Sequence, residues 1–307
     1  MRIVFFGSAP IGFPLLDALL SSTADEVAAV VTQPDRPAGR KQQLTACPVK
    51  IFAQERGLPV LSPEKVKDSL PELTALKADL FVVVAYGQYI PPSVLALPKH
   101  EAINFHPSLL PKYRGASPIQ WSVANGDTVT GATILYVSDK MDAGDIILQR
   151  EVTIGPDDTS ATLEPVLAAA GASLLMEAIE HIRQGTVRRQ PQDDAAATEV
   201  RKLSKEDGRL DWTLSATVLR NRIRGFAPWP GCFCEMPDGN RLKVLSAAVE
   251  DRSGPPGEIL EAAGAGLLVA AGEGALRLLE VQPAGKCAMD GSSYLRGYSP
   301  VPGVRLM

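Results

Sequence analysis

Through the first 180 residues, short continuous apolar runs alternate with stretches whose apolar positions recur at helical spacing. The runs are Arg2–Phe6, Val27–Thr32, Leu80–Ala85 and Ala102–Phe105, followed by Gly131–Tyr136 and Ile146–Thr153. Between them Phe13–Leu20, Val49–Arg56 and Ile119–Ala124 carry helix-spaced apolar residues, and Ser160–Arg183 predicts a long helix. A strand apolar at nearly every position is buried on both faces, the environment of a parallel sheet between layers of helices. Strand, helix and strand in succession then require right-handed crossovers. The fold class is α/β: a Rossmann-like, open, mostly parallel sheet with helices on both faces. Ligands of such sheets bind beyond the carboxyl ends of the strands.

From about Gln184 to Ser204 the periodicity is lost in a polar tract, which reads as a surface linker. One helix, Ala216–Arg224, follows, and then the short strands CFCEM, RLKVLSAAV, EILEA, GLLVAA and ALRLLEV, separated by Gly, Pro and Asp turns. That grammar predicts a small OB-like β-barrel. The expected organisation is an α/β catalytic domain at 1–185, a linker at 186–204 and an OB-like domain at 205–307. Two domains are also what 307 residues predict.

Composition narrows the class without naming a partner. Apolar residues make up 45% and charged residues 21%, which fits a water-soluble globular chain. The net charge of −4 is too small to imply nucleic acid or membrane; the first 200 residues are acidic on balance and the rest slightly basic. The 4 cysteines stand at 47, 232, 234 and 287, with no pair of pairs at metal-ligand spacing and no disulfide framework. A strand beginning at Arg2 leaves no room for a signal peptide, and no apolar run approaches the roughly 20 residues of a membrane span. The expectation is a soluble, cytoplasmic monomer that needs no metal, no membrane and no protein partner.

The fragment INFHPSLLPKYRGASPIQW at 103–121 is the richest in chemistry. Asn104 and His106 end a buried strand two residues apart, so they project from one side. The PSLLP that follows has proline at both ends and predicts a rigid apolar wall with exposed backbone amides. By itself His106 reads as a structural histidine; Asn104 and the proline-framed loop turn the reading towards catalysis. In SDKMDAGDII (138–147), Asp139 and Asp145 read as turn caps. Asp142 is catalytic only if it faces His106, where a carboxylate stabilises the protonated ring. GSAPIG near the start has P-loop-like glycine spacing, but no Lys-Ser/Thr follows.

N-x-H-x-S-L-L-P-x-Y-R-G followed by M-D-x-G-D resembles the formyltransferases that use 10-formyltetrahydrofolate. FFGSAPIGF, TQPDRPAGR, VVVAYG, LSKEDGRLDW, IRGFAPWPGCF and LLEVQPAGKCAM extend the resemblance over the whole chain. The departures are GSAP where the family more often has GTP, and Ala143 where Thr is common. The resemblance implies transfer of the formyl group to the amine of initiator methionyl-tRNA, for translation initiation. It implies Asn104, His106 and Asp142 as the catalytic trio, the first two donating hydrogen bonds to a tetrahedral oxyanion and Asp142 keeping His106 charged. It also implies a folate site at Ser108, Leu109, Leu110 and Pro111. Backbone of Val84–Gln88, including Tyr86, Gly87 and Gln88, and of Ser138–Asp142 would read the pterin edge. The loop 34–43 with Arg36, Arg40 and Lys41 would enter the acceptor end of the tRNA, with Arg40 the key contact; without the resemblance it reads as a solvated basic loop. Arg220, Arg222 and Arg224 on one helix would add backbone contacts. Two other readings stay open: a formyltransferase for a 4-amino sugar nucleotide, which shares the trio but does not typically carry PDRPAGR, and a non-catalytic RNA-binding relative. A glycinamide ribonucleotide formyltransferase lacks the second domain.

Overall fold

The computed structural model of the protein describes residues 1–39 and 42–307, and the chain forms two compact units. The first comprises residues 1–115, 129–153 and 164–199. Its sheet has seven strands: β1 (Arg2–Gly7), β2 (Glu26–Val31), β3 (Val60–Leu61), β4 (Leu80–Val84), β5 (Ala102–His106), β6 (Val129–Tyr136) and β7 (Ile146–Thr153). The order is β3-β2-β1-β4-β5-β6-β7. β1 to β5 run parallel, whereas β6 and β7 are antiparallel to their neighbours. Antiparallel strands need no crossover helix, and the loop carrying Asp142 joins β6 directly to β7. The order reverses between β1 and β4, which opens a crevice at their carboxyl ends.

Alternation along the strands serves both faces. Val4, Phe6 and Phe81 pack with Val66, Leu73 and Val94 on one. On the other, a Cβ at Gly12 would stand 3.3 Å from the Phe5 ring, and one at Gly171 would stand 2.4 Å from the Phe105 ring. Gly171 belongs to the helix Ser160–Gln184, so a glycine there lets helix and strand approach closely. By length and composition alone that 25-residue helix could cross a membrane, although Glu164 and Glu177 interrupt its apolar stretch. Its Leu167, Leu174, Leu175, Ala178 and Ile179 are nonetheless buried within the protein.

The second unit comprises residues 116–128, 154–163 and 200–307. Its antiparallel sheet is formed by β8 (Cys232–Glu235), β9 (Arg241–Glu250), β10 (Ile259–Ala263), β11 (Gly266–Ala270), β12 (Ala275–Pro283) and β13 (Met289–Asp290). The path β8-β9-β12-β11-β10 is a partly open barrel of the OB kind, with β13 paired to β12. Cys232 and Cys234 lie in its core as free thiols, and burial pushes both up to about 12. They are therefore neutral and unreactive at ordinary pH. Helix Pro118–Ala124, read from sequence as part of the α/β half, packs here against helix Ala216–Gly225. Trp121 meets Phe226 edge-on at 5.5 Å, and a Cβ on Gly225 would stand 2.6 Å from the Ala124 backbone.

Candidate active site

β5 carries Asn104 and His106 to the carboxyl edge of the sheet, on the same strand face as Phe6 and Val83. The β6–β7 loop brings Asp142 to them. Asn104 Nδ2 donates to Asp142 Oδ1 at 3.3 Å, and His106 Nδ1 lies 3.5 Å from Asp142 Oδ2. Oδ2 also accepts the Gly115 backbone N–H at 2.8 Å. His106 is buried, and its Nε2 is 2.8 Å from the Tyr113 carbonyl. A carbonyl can only accept, so Nε2 carries the proton in the neutral ring and Nδ1 is the nitrogen that gains one beside Asp142. The backbone around this cluster is strained: Ala85, Tyr113 and Asp142 have φ of 46°, 64° and 51°, in the left-handed region unfavourable for side chains other than glycine.

The SLLP loop departs from expectation. Two of its three amides are already engaged, Ser108 N with His106 O and Leu110 N with Thr133 Oγ1, and just beyond it Lys112 N bonds Leu109 O. Thr133 on β6 is the reason, because its hydroxyl also donates to Ser108 O at 2.6 Å and accepts from Gln149 Nε2. Gln149 donates to Leu110 O as well. Leu110 packs with Leu135 and Ile146, and a Cβ on Gly131 would collide with Leu109. The loop is thus a rigid apolar wall, held through its own backbone.

The Tyr86–Gln88 segment is similarly committed. The Tyr86 ring is buried edge-on against Phe6 at 5.4 Å, where burial pushes its hydroxyl up to about 12. Its carbonyl accepts from Ser8 Oγ and Gln33 Nε2, both at 3.1 Å. Gly87 has φ 79°, where any side chain is strained, and a Cβ there would stand 2.3 Å from Gln33 Nε2, so glycine suits the position. The Gln88 amide bridges Val66 N and Pro63 O, which makes the side chain a clamp on that loop. Gly87 and Gln88 line a cleft of about 560 Å³ together with Gln33, Lys65, Lys67 and Tyr89. Arg36 also lines it and is paired with Glu64 at 2.7 Å.

Arg40 and Lys41 lie outside the described residues. Of the helix arginines, Arg220 pairs with Asp157 at 2.6 Å, and Arg224 donates to the carbonyls of Gly155 and Asp158. Both tie down the 155–158 turn of their own unit. Arg220 is thus engaged by an ion pair and Arg224 by backbone carbonyls of that turn.

Sequence reasoning missed Gln192. Its segment is largely exposed, as read, but it is pinned: Gln190 and Ile146 exchange both backbone hydrogen bonds, and Arg114 N donates to Thr198 O. Gln192 Nε2 donates to the carbonyls of Asp142 and Gly144, each at 2.8 Å. Nothing in a polar, aperiodic tract signals such a contact. Among the described residues, no group of three or more His, Cys, Asp or Glu is placed to hold a metal ion.

The formyl transferase family model matches residues 1–179, and its C-terminal domain model matches 202–299. The methionyl-tRNA formyltransferase of Acidobacterium capsulatum is 47% identical, the alignment covering 100% of this chain and 99% of that protein. The corresponding protein of Geobacter metallireducens is 41% identical over 100% of this chain and 98% of its own length. Among solved structures, the sugar 3N-formyl transferase WlaRD superposes with a TM-score of 0.68 at 17% identity, over 94% of this chain and 99% of that one. HypX from Aquifex aeolicus, solved with tetrahydrofolic acid, gives 0.62 at 19% identity over 96% of this chain. The chain spans about half of HypX, 47% of its length. At such identities the structural likeness speaks for the fold alone, whereas the full-length sequence likeness decides the family. The chain belongs to the methionyl-tRNA formyltransferase family of formyl transferases.

Proposed function

We infer that the protein transfers the formyl group of 10-formyltetrahydrofolate to the amino group of methionine on initiator methionyl-tRNA, for translation initiation. The observation that carries the reading is the meeting of Asn104, His106 and Asp142 at the carboxyl edge of the sheet. This occurs in a chain alignable end to end with methionyl-tRNA formyltransferases. The amine attacks the formyl carbon; one C–N bond forms, the bond to N10 of the folate breaks, and one proton moves from the amine to N10. Asn104 gives one N–H to Asp142 and keeps a second for the oxyanion. His106 keeps Nε2–H on Tyr113 and, protonated at Nδ1, adds positive charge beside the oxyanion. Asp142 balances that charge and relays the amine's proton.

Ser108, Leu109, Leu110 and Pro111 form the wall against which the folate lies, with Tyr86, Gly87 and Gln88 beside it. The loop with Arg36, Arg40 and Lys41 meets the acceptor end of the tRNA. The α/β domain at 1–185 carries the chemistry, the segment 186–204 joins it to the second domain, and the OB-like domain at 205–307 follows the RNA backbone. The protein acts as a cytoplasmic monomer. A second reading, formylation of an amino sugar nucleotide, draws on the fold shared with WlaRD.

The test is a formylation assay with purified protein, 10-formyltetrahydrofolate and either methionyl-initiator-tRNA or a 4-amino sugar nucleotide. Formyl-methionyl-tRNA is the expected product. Turnover of the sugar alone favours the second reading, and tRNA binding without turnover shows a non-catalytic relative. Arg40→Ala should raise KM for tRNA by about tenfold, the loss of one charge-assisted contact, and leave KM for folate alone. Unchanged tRNA kinetics would leave the loop as solvated surface.

A further inference from the structure

Asp142 is the only trio member on a loop, and its backbone stands in a conformation that side chains avoid, φ 51°. What keeps it there lies in the polar segment that follows the helix Ser160–Gln184, within the same unit. The Gln192 side chain spends no donor on solvent-facing partners: its Nε2 reaches Asp142 O and Gly144 O at once, both at 2.8 Å. Its Oε1 accepts from Arg114 Nε at 3.0 Å. Arg114 is buried and pairs through Nη2 with Asp194 at 2.8 Å, so the guanidinium cannot rotate freely. The neighbouring Gly115 N–H holds Asp142 Oδ2. Residues 114 and 115 therefore grip Asp142 twice, directly at the carboxylate and through Gln192 at the backbone.

A carboxamide suits this position because it offers two N–H donors and an acceptor in one plane. Glutamate keeps the length and the acceptor for Arg114 but turns oxygen towards two carbonyl oxygens. We propose that Gln192 is a positioning residue for formyl transfer, setting the Asp142 loop so that the carboxylate meets Asn104 and His106. The proposal rests on the formyltransferase reading above.

Gln192→Glu tests it by steady-state kinetics on methionyl-tRNA, beside the wild type and Asp142→Asn. A displaced catalytic group costs about 10- to 100-fold in kcat, so that loss is expected with KM for both substrates within about twofold. Because Gln192 acts through Asp142, adding Gln192→Glu to Asp142→Asn should cost little more. Unchanged kcat in Gln192→Glu, or losses that multiply in the double variant, would overturn the proposal. Circular dichroism checks folding; if Gln192→Glu does not fold, Gln192→Met, neutral and of similar length, gives the same kcat readout. A wild type inactive on methionyl-tRNA removes the reading beneath the proposal, whereas an active wild type with an unaffected variant removes only the proposal.

Discussion

Asp142→Asn changes one oxygen to an NH₂ group and nothing in shape, and the geometry decides what that does. Oδ1 accepts from Asn104 Nδ2, while Oδ2 accepts from Gly115 N and faces His106 Nδ1. An asparagine has one oxygen for these two sides. With its oxygen turned towards Gly115, its NH₂ faces the Asn104 amide, which can flip to accept from it; turned the other way, its NH₂ confronts the Gly115 N–H. Only the second choice leaves a donor facing a donor, worth about 1–3 kcal/mol if fully buried; the first requires the Asn104 amide to flip from its native orientation. The Asp142 side chain is 15% exposed, so water relieves part of this and the stability loss belongs at the low end. The catalytic loss is larger. Without a carboxylate there is no acceptor for the amine's proton and no counter-charge for His106, and removal of a general base costs about 10²- to 10⁴-fold. That corresponds to about 3–5 kcal/mol on the barrier. Steady-state formylation at saturating methionyl-tRNA measures kcat, and thermal unfolding of the same sample separates chemistry from folding. A folded Asp142→Asn protein with kcat within tenfold of wild type would remove Asp142 from the proposed mechanism.

Gly171→Ala should lower the melting temperature, although alanine gains about 1 kcal/mol of helix propensity. The new Cβ would stand 2.4 and 2.7 Å from atoms of the buried Phe105 ring, and overpacking of that kind costs about 1–3 kcal/mol. Phe105 lies between Asn104 and His106, so kcat should fall as well; a raised melting temperature would refute the packing account. Acid should destabilise the fold through Asp79 and Glu250. The Arg2 backbone N–H and Lys99 hold the Asp79 carboxyl below its ordinary value, and the Arg277 guanidinium does the same for Glu250. Depressed carboxyls stabilise the folded state above the unfolded values near about 4, and that stability is lost as pH falls through the depressed ones. Urea midpoints measured from pH 6 down to pH 3 should therefore drop at the acid end, and Arg277→Met should remove the part due to Glu250. A flat profile would contradict both assignments.

The elements of the α/β unit were legible because burial on two faces leaves an apolar run wherever a central strand lies. β1, β4 and β5 coincide with such runs to within a residue. β3 was not legible, since two residues of strand at Val60–Leu61 carry no period. Nor were the antiparallel senses of β6 and β7, because a buried run looks the same in either direction. The trio was half legible. The i, i+2 spacing of Asn104 and His106 on a strand end is a local property, while the approach of Asp142 to them spans a separation that only folding closes.

The sequence by itself determined the kinds of element, the chemistry available in Asn104, His106 and Asp142, and the family to which they point. Those follow from local periodicity and residue type, which the chain carries wherever it goes. Tertiary structure decided which polar groups are already engaged. It turned the Ser108 and Leu110 amides onto His106 O and Thr133, and Arg220 and Arg224 onto the 155–158 turn. It also drew Gln192 out of a featureless polar tract onto the carbonyls of Asp142 and Gly144. A hydrogen bond depends on where two groups meet, and meeting is a property of the packed chain.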